Sequence, residues 1–440
     1  MRVVCDMNKL IFIATMVLAI MFCSCSGVDD RERILGSVPS SAGGVAVVDV
    51  ANILADSGMN GEGRDSVGGM LSCFTHGGVD AGVVVAFVEK GKFTIVFLLD
   101  DVRKFERYYA GRRSVSFSDS DGFRCASDGK VIVKDGMGWW SASGMDLADV
   151  RRYLSLADKE SVLEAPYAAS LTSDSGAIHC VSRLSSLGAF AGDASLSFKV
   201  KGIMSVLFDD AVYVASDVRF APGKVEASAR VLDGKGEAAK AVLPLQRLES
   251  GPLAESGLCG EMFVAISPGA SVMRRLAERF GGVAGVPERA MDALGELDGL
   301  MAVSLSVNDT YPRYPAFDFI ATFSNAETAS SAGDFISAFT DEEGTVSADG
   351  RVLHISVGKP DGMAFQEVSE RFEGAVAGVY MSQKAMSLVY PPAWPGIFRE
   401  AVVRIMPEGK SLGVSLELAV IPGQNAAVSL LEALDYGSDK

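Results

Sequence analysis

The chain has 440 residues and a formal net charge of −16, from 40 Lys and Arg against 56 Asp and Glu. An acidic surface of that size argues against electrostatic binding to nucleic acid or to an anionic membrane face. With 48% hydrophobic residues, the chain is long enough for two domains with real cores.

In chain order, Lys9 and the apolar run Leu10 to Phe22 come first. About thirteen apolar residues behind one positive charge make a signal-peptide core, too short to span a bilayer. Met7 is the expected start. Ser24 precedes Cys25, whereas the bulky Phe22 precedes Cys23. This stretch resembles the lipobox of bacterial lipoproteins, in the Ser-Cys form common in Bacteroidetes. The resemblance implies removal of residues 1–24, acylation of Cys25 and an outer-membrane lipoprotein, periplasmic or surface-exposed. Two or three acyl chains anchor stably where one is marginal. The alternatives are an ordinary secreted chain and anchoring at Cys23. Asp29 and Asp30 follow the anchor, and acidic residues there resemble a surface-export signal. Loss of Arg2, Asp6 and Lys9 with the leader takes the charge to about −17.

The second half then replays the first. "GVAVVDVANIL" and "GEMFVAISPGASVMRRLAERF" each read as a strand running into a helix. "AGVVVAFVEKGKFTIVFLLD" reads as two apolar strands around a Lys-Gly turn, echoed by "GLMAVSLSVN" and "AFDFIATFSN". The helices "DVRKFERYYA" and "AETASSAGDFISAF" follow, launched by the N-cap residues Asp101 and Asn325. "FRCASDGKVIVKDG" and "TVSADGRVLHISVG" supply short strands, with Asp128-Gly129 and Asp349-Gly350 as two-residue hairpin signals. Finally "DVRFAPGKVEASARVLD" matches "VVRIMPEGKSLGVSLEL", with Val-Arg and Pro in register and a turn one residue longer in the second copy. The offset between copies drops from roughly 215 to 225 residues to about 185, so the first copy carries an insertion. The helical stretch "DLADVRRYLSLADKESVLEAPYAASL" is the expected extra piece.

This layout, with its leader, resembles a set of Bacteroidetes lipoproteins that carry a domain of unknown function. In them a "VP" segment leads into a strand ending in Asp-Val and then a helix, here "SVPSSAGGVAVVDVANIL". The resemblance implies a tandem α+β build and brings no catalytic residues. The expected division is a leader at 1–24, a lipidated tether at 25–33, and repeats at 34–247 and 258–440. A linker is expected at 248–257, where Gly, Pro, Ser and Glu cluster. Each repeat is expected to be a mostly antiparallel sheet with helices packed on one face. Val225, Ala227, Ala229 and Val231 alternate with Glu226, Ser228 and Arg230, the mark of a half-covered strand. "GVVVAF" and "FTIVFLL" read instead as central strands covered on both sides.

Chemistry-bearing motifs are sparse. "GKSLG" (409–413) fits the nucleophile-elbow pattern but leads into a strand, so it reads as a hairpin turn. The same "GKS" fails as a phosphate loop because Arg404 stands in the place of the first glycine. "SDGK" (127–130) straddles a hairpin turn without its partner motifs. His76, His179 and His354 are widely spaced and give no zinc pattern. "SDSDG" (118–122) lacks the late Glu of a calcium loop and reads as a polar connection. Cys73, Cys125, Cys180 and Cys259 could pair in three ways in an oxidising compartment. Their apolar contexts and lack of C-x-x-C favour buried free thiols.

Loop and strand-edge aromatics are the remaining candidates: Trp139, Trp140, Tyr311, Tyr314 and Trp394 as stacking platforms. Adjacent Trp residues on a strand point to opposite faces, so Trp139 and Trp140 cannot both join one platform. The expectation is a lipid-anchored, non-enzymatic binding or scaffolding protein with a protein or glycan partner, no catalytic residues, no cofactor, no metal and no nucleic acid. The alternative is a hydrolase with a site in the interdomain cleft. A third reading is an envelope-maintenance factor working with other envelope proteins.

Overall fold

Runs of Val, Ile and Phe broken by X-Gly pairs favour antiparallel hairpins. The computed structural model describes residues 28–49, 52–53, 77–173, 176–186, 204, 207–242, 246–280, 292–293, 295–306, 316–337, 344–358, 360–389, 397–423 and 425–428. They divide into two compact units: Met1–Lys201, Ala211–Ala238 and Gly423–Lys440 against Gly202–Asp210 and Ala239–Pro422. The class is α+β, and within each unit the strands pair antiparallel.

The first unit opens with helix α1 (Val28–Gly36), β1 (Gly44–Asp49), β2 (Val79–Glu89), β3 (Lys92–Leu99) and helix α2 (Val102–Arg113). Strands β4 (Phe117–Ser120), β5 (Phe123–Ala126), β6 (Val131–Lys134) and β7 (Met137–Trp140) follow, then helices α3 (Leu147–Leu154) and α4 (Ala168–Leu171). Strands β8 (Ile178–Arg183), β9 (Tyr213–Ala221) and β10 (Lys224–Leu232) complete it. The sheet order is β10-β9-β8-β1-β2-β3-β7-β6-β5-β4. Lys90-Gly91, Asp121-Gly122 and Asp135-Gly136 all have positive φ at both residues, as the tightest hairpin turns require. Asp101 caps α2 as expected, accepting from Lys104 N at 2.9 Å.

One row crosses five of these strands: Val47, Val85, Val96, Trp139 and Ile132 face each other in turn. All are buried, in one cluster with Ile34 and Leu35 of α1 and Val150 and Tyr153 of α3. The opposite face takes α2, whose buried Phe105 sets its ring 5.5 Å from that of Phe97. Helices therefore lie on both faces rather than one, which the apolar runs Gly82–Phe87 of β2 and Ile95–Leu99 of β3 demand.

The second unit runs α5 (Ser250–Glu255), β11 (Cys259–Gly260), β12 (Met262–Ile266), α6 (Ala270–Phe280), β13 (Leu297–Ser306), β14 (Ala316–Phe323) and α7 (Ala326–Ser337). Then come β15 (Gly344–Asp349), β16 (Val352–Val357), β17 (Met363–Ala364), β18 (Ala377–Ser382), α8 (Gln383–Val389), β19 (Phe398–Glu408) and β20 (Ser411–Val420). Its sheet order is β20-β19-β18-β12-β13-β14-β16-β15. Phe263, Phe365, Phe372 and Tyr380 fill one face. Ala329 and Ala332 of α7 cover the other with Phe323, Leu353 and Ile355. Asn325 caps α7 by accepting from Thr328 N at 2.8 Å. In place of the expected linker, residues 248–257 hold α5, with Leu248, Leu253 and Leu258 in this core. Pro252 sits in the first helical turn, where proline is tolerated, and Gly257 follows the helix with φ +71°. Glycine and proline punctuate helices as well as linkers.

The two sheets share one register. Gly43 N donates to Val88 O and Arg183 N to Gly43 O; likewise Glu261 N donates to Leu305 O and Ser382 N to Glu261 O. Counting from there equates Val181 with Tyr380, Arg183 with Ser382, and Tyr213 with Glu400. Both C-terminal hairpins turn on two residues, Pro222-Gly223 and Gly409-Lys410, so Asp217 corresponds to Arg404. The side-chain match of the two Val-Arg pairs is two residues out of true register. The ladder, not residue identity, sets the equivalence. The first unit's extra residues are likewise shared among the β4–β5 hairpin, the helical stretch around α3 and the β8–β9 connection, which runs from Arg183 to Tyr213 where the second unit needs only Ser382 to Glu400. Asp128-Gly129 lies in the longer connection 127–130, and the β15–β16 turn falls on Gly350-Arg351.

A Cβ at Gly138 would sit 2.4 Å from the Phe97 ring. Gly138→Ala should therefore destabilise the first unit by about 1–3 kcal/mol, read as a lower urea midpoint. An unchanged midpoint would contradict this packing.

Candidate functional site

Neighbouring residues on a regular strand point to opposite faces, and a bulge breaks that rule. In β19, Phe398 lies opposite Val420 and Glu400 opposite Ala419, which leaves Arg399 as the extra residue. Arg399 and Glu400 consequently line the same open cleft, of about 630 Å³. Glu261 at the entrance to β12, Tyr380 and Ser382 of β18, Gln383 and Lys384 of α8, and Met363 of β17 complete it.

Glu400 is only 9% exposed and is held by cations. Its Oε1 accepts from Arg371 Nη2 at 3.0 Å and from Arg399 Nη2 at 3.1 Å, and its Oε2 from the Tyr380 hydroxyl at 3.5 Å. Arg371 also reaches Glu417, Nη1 to Oε1, at 3.6 Å. Burial, then the charge of Glu400, pushes the Tyr380 phenol up to about 12, so it stays protonated at neutral pH. Glu261 Oε2 accepts from Ser382 Oγ at 2.5 Å. A carboxylate bound by two guanidinium groups is a poor general base, and a serine hydroxyl committed to a carboxylate without histidine is no activated nucleophile. The lining presents guanidinium, ammonium, amide and carboxylate groups beside Met363.

The equivalent positions in the first unit carry different groups. The guanidinium of Arg183 lies 5.8 Å from the Tyr213 ring centre and donates to Ser40 O at 3.0 Å. The Tyr213 ring in turn packs 4.9 Å from that of Tyr167. At Gly43, where the second copy has Glu261, a Cβ would meet Ser186 Oγ at 2.7 Å. That unit has its own buried carboxylate, Glu89, with Arg152 at 3.1 and 2.5 Å, Ser41 Oγ at 2.8 Å and the Tyr153 hydroxyl at 3.2 Å. Burial alone would raise its pKa, but the hydrogen bonds from Arg152 and Ser41, the Arg152 charge and Tyr153 together lower it. This clamp ties the end of β2 to α3. Asp80, at the other end of β2, is pushed up to about 6 by burial and by the charges of Asp100 and Asp30.

Of the residues nominated from sequence, Cys25, Cys73, His76, Tyr311, Tyr314 and Trp394 lie outside the described residues. Trp139 is fully buried in the first core and so offers no platform, while Trp140, on the other face, is half-buried. Cys125, Cys180 and Cys259 are free thiols, and burial pushes the Cys180 thiol up to about 12. His179 is buried with Nδ1 2.6 Å from Asp217 Oδ1, and among the described residues its Nε2 meets no hydroxyl to activate. His354, in the other unit, lies 3.8 Å from Asp318. Among the described residues no group of three or more His, Cys, Asp or Glu could hold a metal ion, and no helix is long and apolar enough to cross a membrane. Ser411 opens β20 after the Gly409-Lys410 turn, and Asp121-Gly122 is the β4–β5 turn. The cleft residues belong to no motif. Their signal is the charged pair in "IFREAVVRI", two successive charges that alternation alone would place on opposite faces.

No family model matches the chain, and no curated protein matches it. Among solved structures, crystal form I of TP0453 is similar at 9% identity and TM-score 0.29, over 46% of this chain and 79% of that one. Crystal form III gives 8% identity and TM-score 0.29 over 76% and 97%. Crystal form IV gives 9% identity and TM-score 0.22 over 76% and 94%. Likeness at these scores carries no argument about the site.

Because the folded Glu89 carboxyl is depressed below its ordinary 4.5, its contribution to stability is present above that value and fades as pH falls through the folded pKa. Urea midpoints taken from pH 7 down to pH 3 should drop on the acid side. Glu89→Gln should be less stable at pH 7 and show a flatter acid limb; an equally steep limb would remove Glu89 as its source.

Proposed function

We propose that this chain is a lipid-anchored envelope protein that binds a partner rather than transforming one, with the second unit's cleft as the place of binding. The observation that carries the reading is the cleft itself. It is lined by polar groups, yet Glu400 and Ser382 are engaged in ways that leave neither a base nor an activated nucleophile. The repeat supports it, since the two copies place different side chains at the equivalent positions, as expected when a scaffold is reused for recognition. The leader supports the anchor: the short apolar run Leu10 to Phe22 is followed by Ser24-Cys25, and Asp29 and Asp30 come soon after. A net charge of −16 leaves protein or glycan as the partner class rather than nucleic acid.

Two measurements test this. Labelling of cells with an alkyne fatty acid should mark the protein and fail for Cys25→Ala. Protease shaving of intact cells then separates a surface protein from a periplasmic one, and a Cys25→Ala variant still acylated would move the anchor to Cys23. Separately, the full chain should retain glycans or peptides on an array without altering them, with retention lost in a Glu261→Gln, Arg399→Gln double variant. Cleavage products detected by mass spectrometry would overturn the non-enzymatic reading.

A further inference from the structure

We infer that the second unit's cleft takes a hydroxylated monocarboxylate, an acidic sugar of the hexuronate kind, with its carboxylate on Arg399 and its hydroxyls on Glu261. This rests on the reading of the cleft as a binding place and names the ligand class.

The argument starts from which groups are already spent. Glu400 is met by Arg371 and Arg399, and Arg371 also reaches Glu417, so these four charges offset one another. Arg399 commits Nη2 to Glu400, while its side chain stays 53% exposed. A guanidinium carries five donors in a rigid fork, so an arm held by Glu400 still presents further donors in the geometry that matches a carboxylate. Because Glu400 and the bulge already fix the arm, a ligand need not order it, which lowers the cost of binding.

Glu261 sets the other requirement. Its Oε2 takes the Ser382 hydroxyl, and a carboxylate has lone pairs for further donors on Oε1. It attracts hydroxyl groups and repels a second anion. A ligand that satisfies both ends therefore carries one negative charge and several hydroxyls. A dianion would set its extra charge against Glu261 and Glu400. Met363 gives the sugar an apolar surface to rest on. A cleft of about 630 Å³ lies in the ordinary range for small-ligand sites, roughly 300–1,000 Å³.

The test is calorimetric titration of the full chain in detergent with galacturonate, galactose and galactose 6-phosphate. Galacturonate should bind about tenfold or more tightly than either competitor. Arg399→Gln should erase that preference, Arg399→Lys should recover part of it, and Glu261→Gln should weaken both uronate and neutral sugar. Unchanged circular dichroism and thermal midpoints keep the variants comparable. Equal binding of galactose and galacturonate, or indifference to Arg399→Gln, overturns the inference. If no uronate binds while a neutral glycan or peptide does so in a manner lost with Glu261→Gln, the ligand class falls and the binding reading stands. If no ligand of any class responds to either substitution, both fall.

Discussion

The antiparallel backbone ladder is the constraint on which everything else in this molecule depends. Strands covered on both faces have no water for their N–H and C=O groups, so each must pair with a neighbour. Once paired, a shift of one residue would turn every core side chain outward. The row from Val47 to Ile132 shows the result: five strands, five apolar side chains, one buried line. The second copy repeats the ladder with different side chains, Phe263 and Tyr380 in place of Val45 and Val181. Register survived duplication where residue identity did not.

Two buried carboxylates enter this scaffold under escort. Glu89 and Glu400 occupy places where an unpaired carboxylate would be strongly unfavourable, and each is met by arginine and by a tyrosine hydroxyl. The two solutions differ in outcome. Around Glu89 the partners come from α3 and the segment before β1, and the result is a bolt. Around Glu400 they come from the segment before β18 and from the bulge, and the result faces an opening. Burial of a carboxylate is thus a structural expedient in one copy and the foundation of a recess in the other.

Much of the architecture was legible because it rests on local chemistry. Lys90-Gly91 announces its hairpin, Asp101 and Asn325 announce their helices, and "FTIVFLL" announces a doubly covered strand. The 248–257 segment misled because Ser-Gly-Pro serves equally to open a helix, and what decides between the two is tertiary: three leucines reaching one core. Trp139 misled for a related reason, since composition marks an aromatic but only the row across the sheet shows it buried. The cleft was illegible because it depends on a mismatch in strand length between β19 and β20, which no residue spells out by itself.

That mismatch has an evolutionary reading. A recess built on one surplus residue is a matter of codon number rather than of codon identity. Deleting the codon for Arg399 would restore regular alternation and return the strand end to an ordinary sheet edge. The recess thus hangs on the length of a single strand, while the ladder around it stays the same.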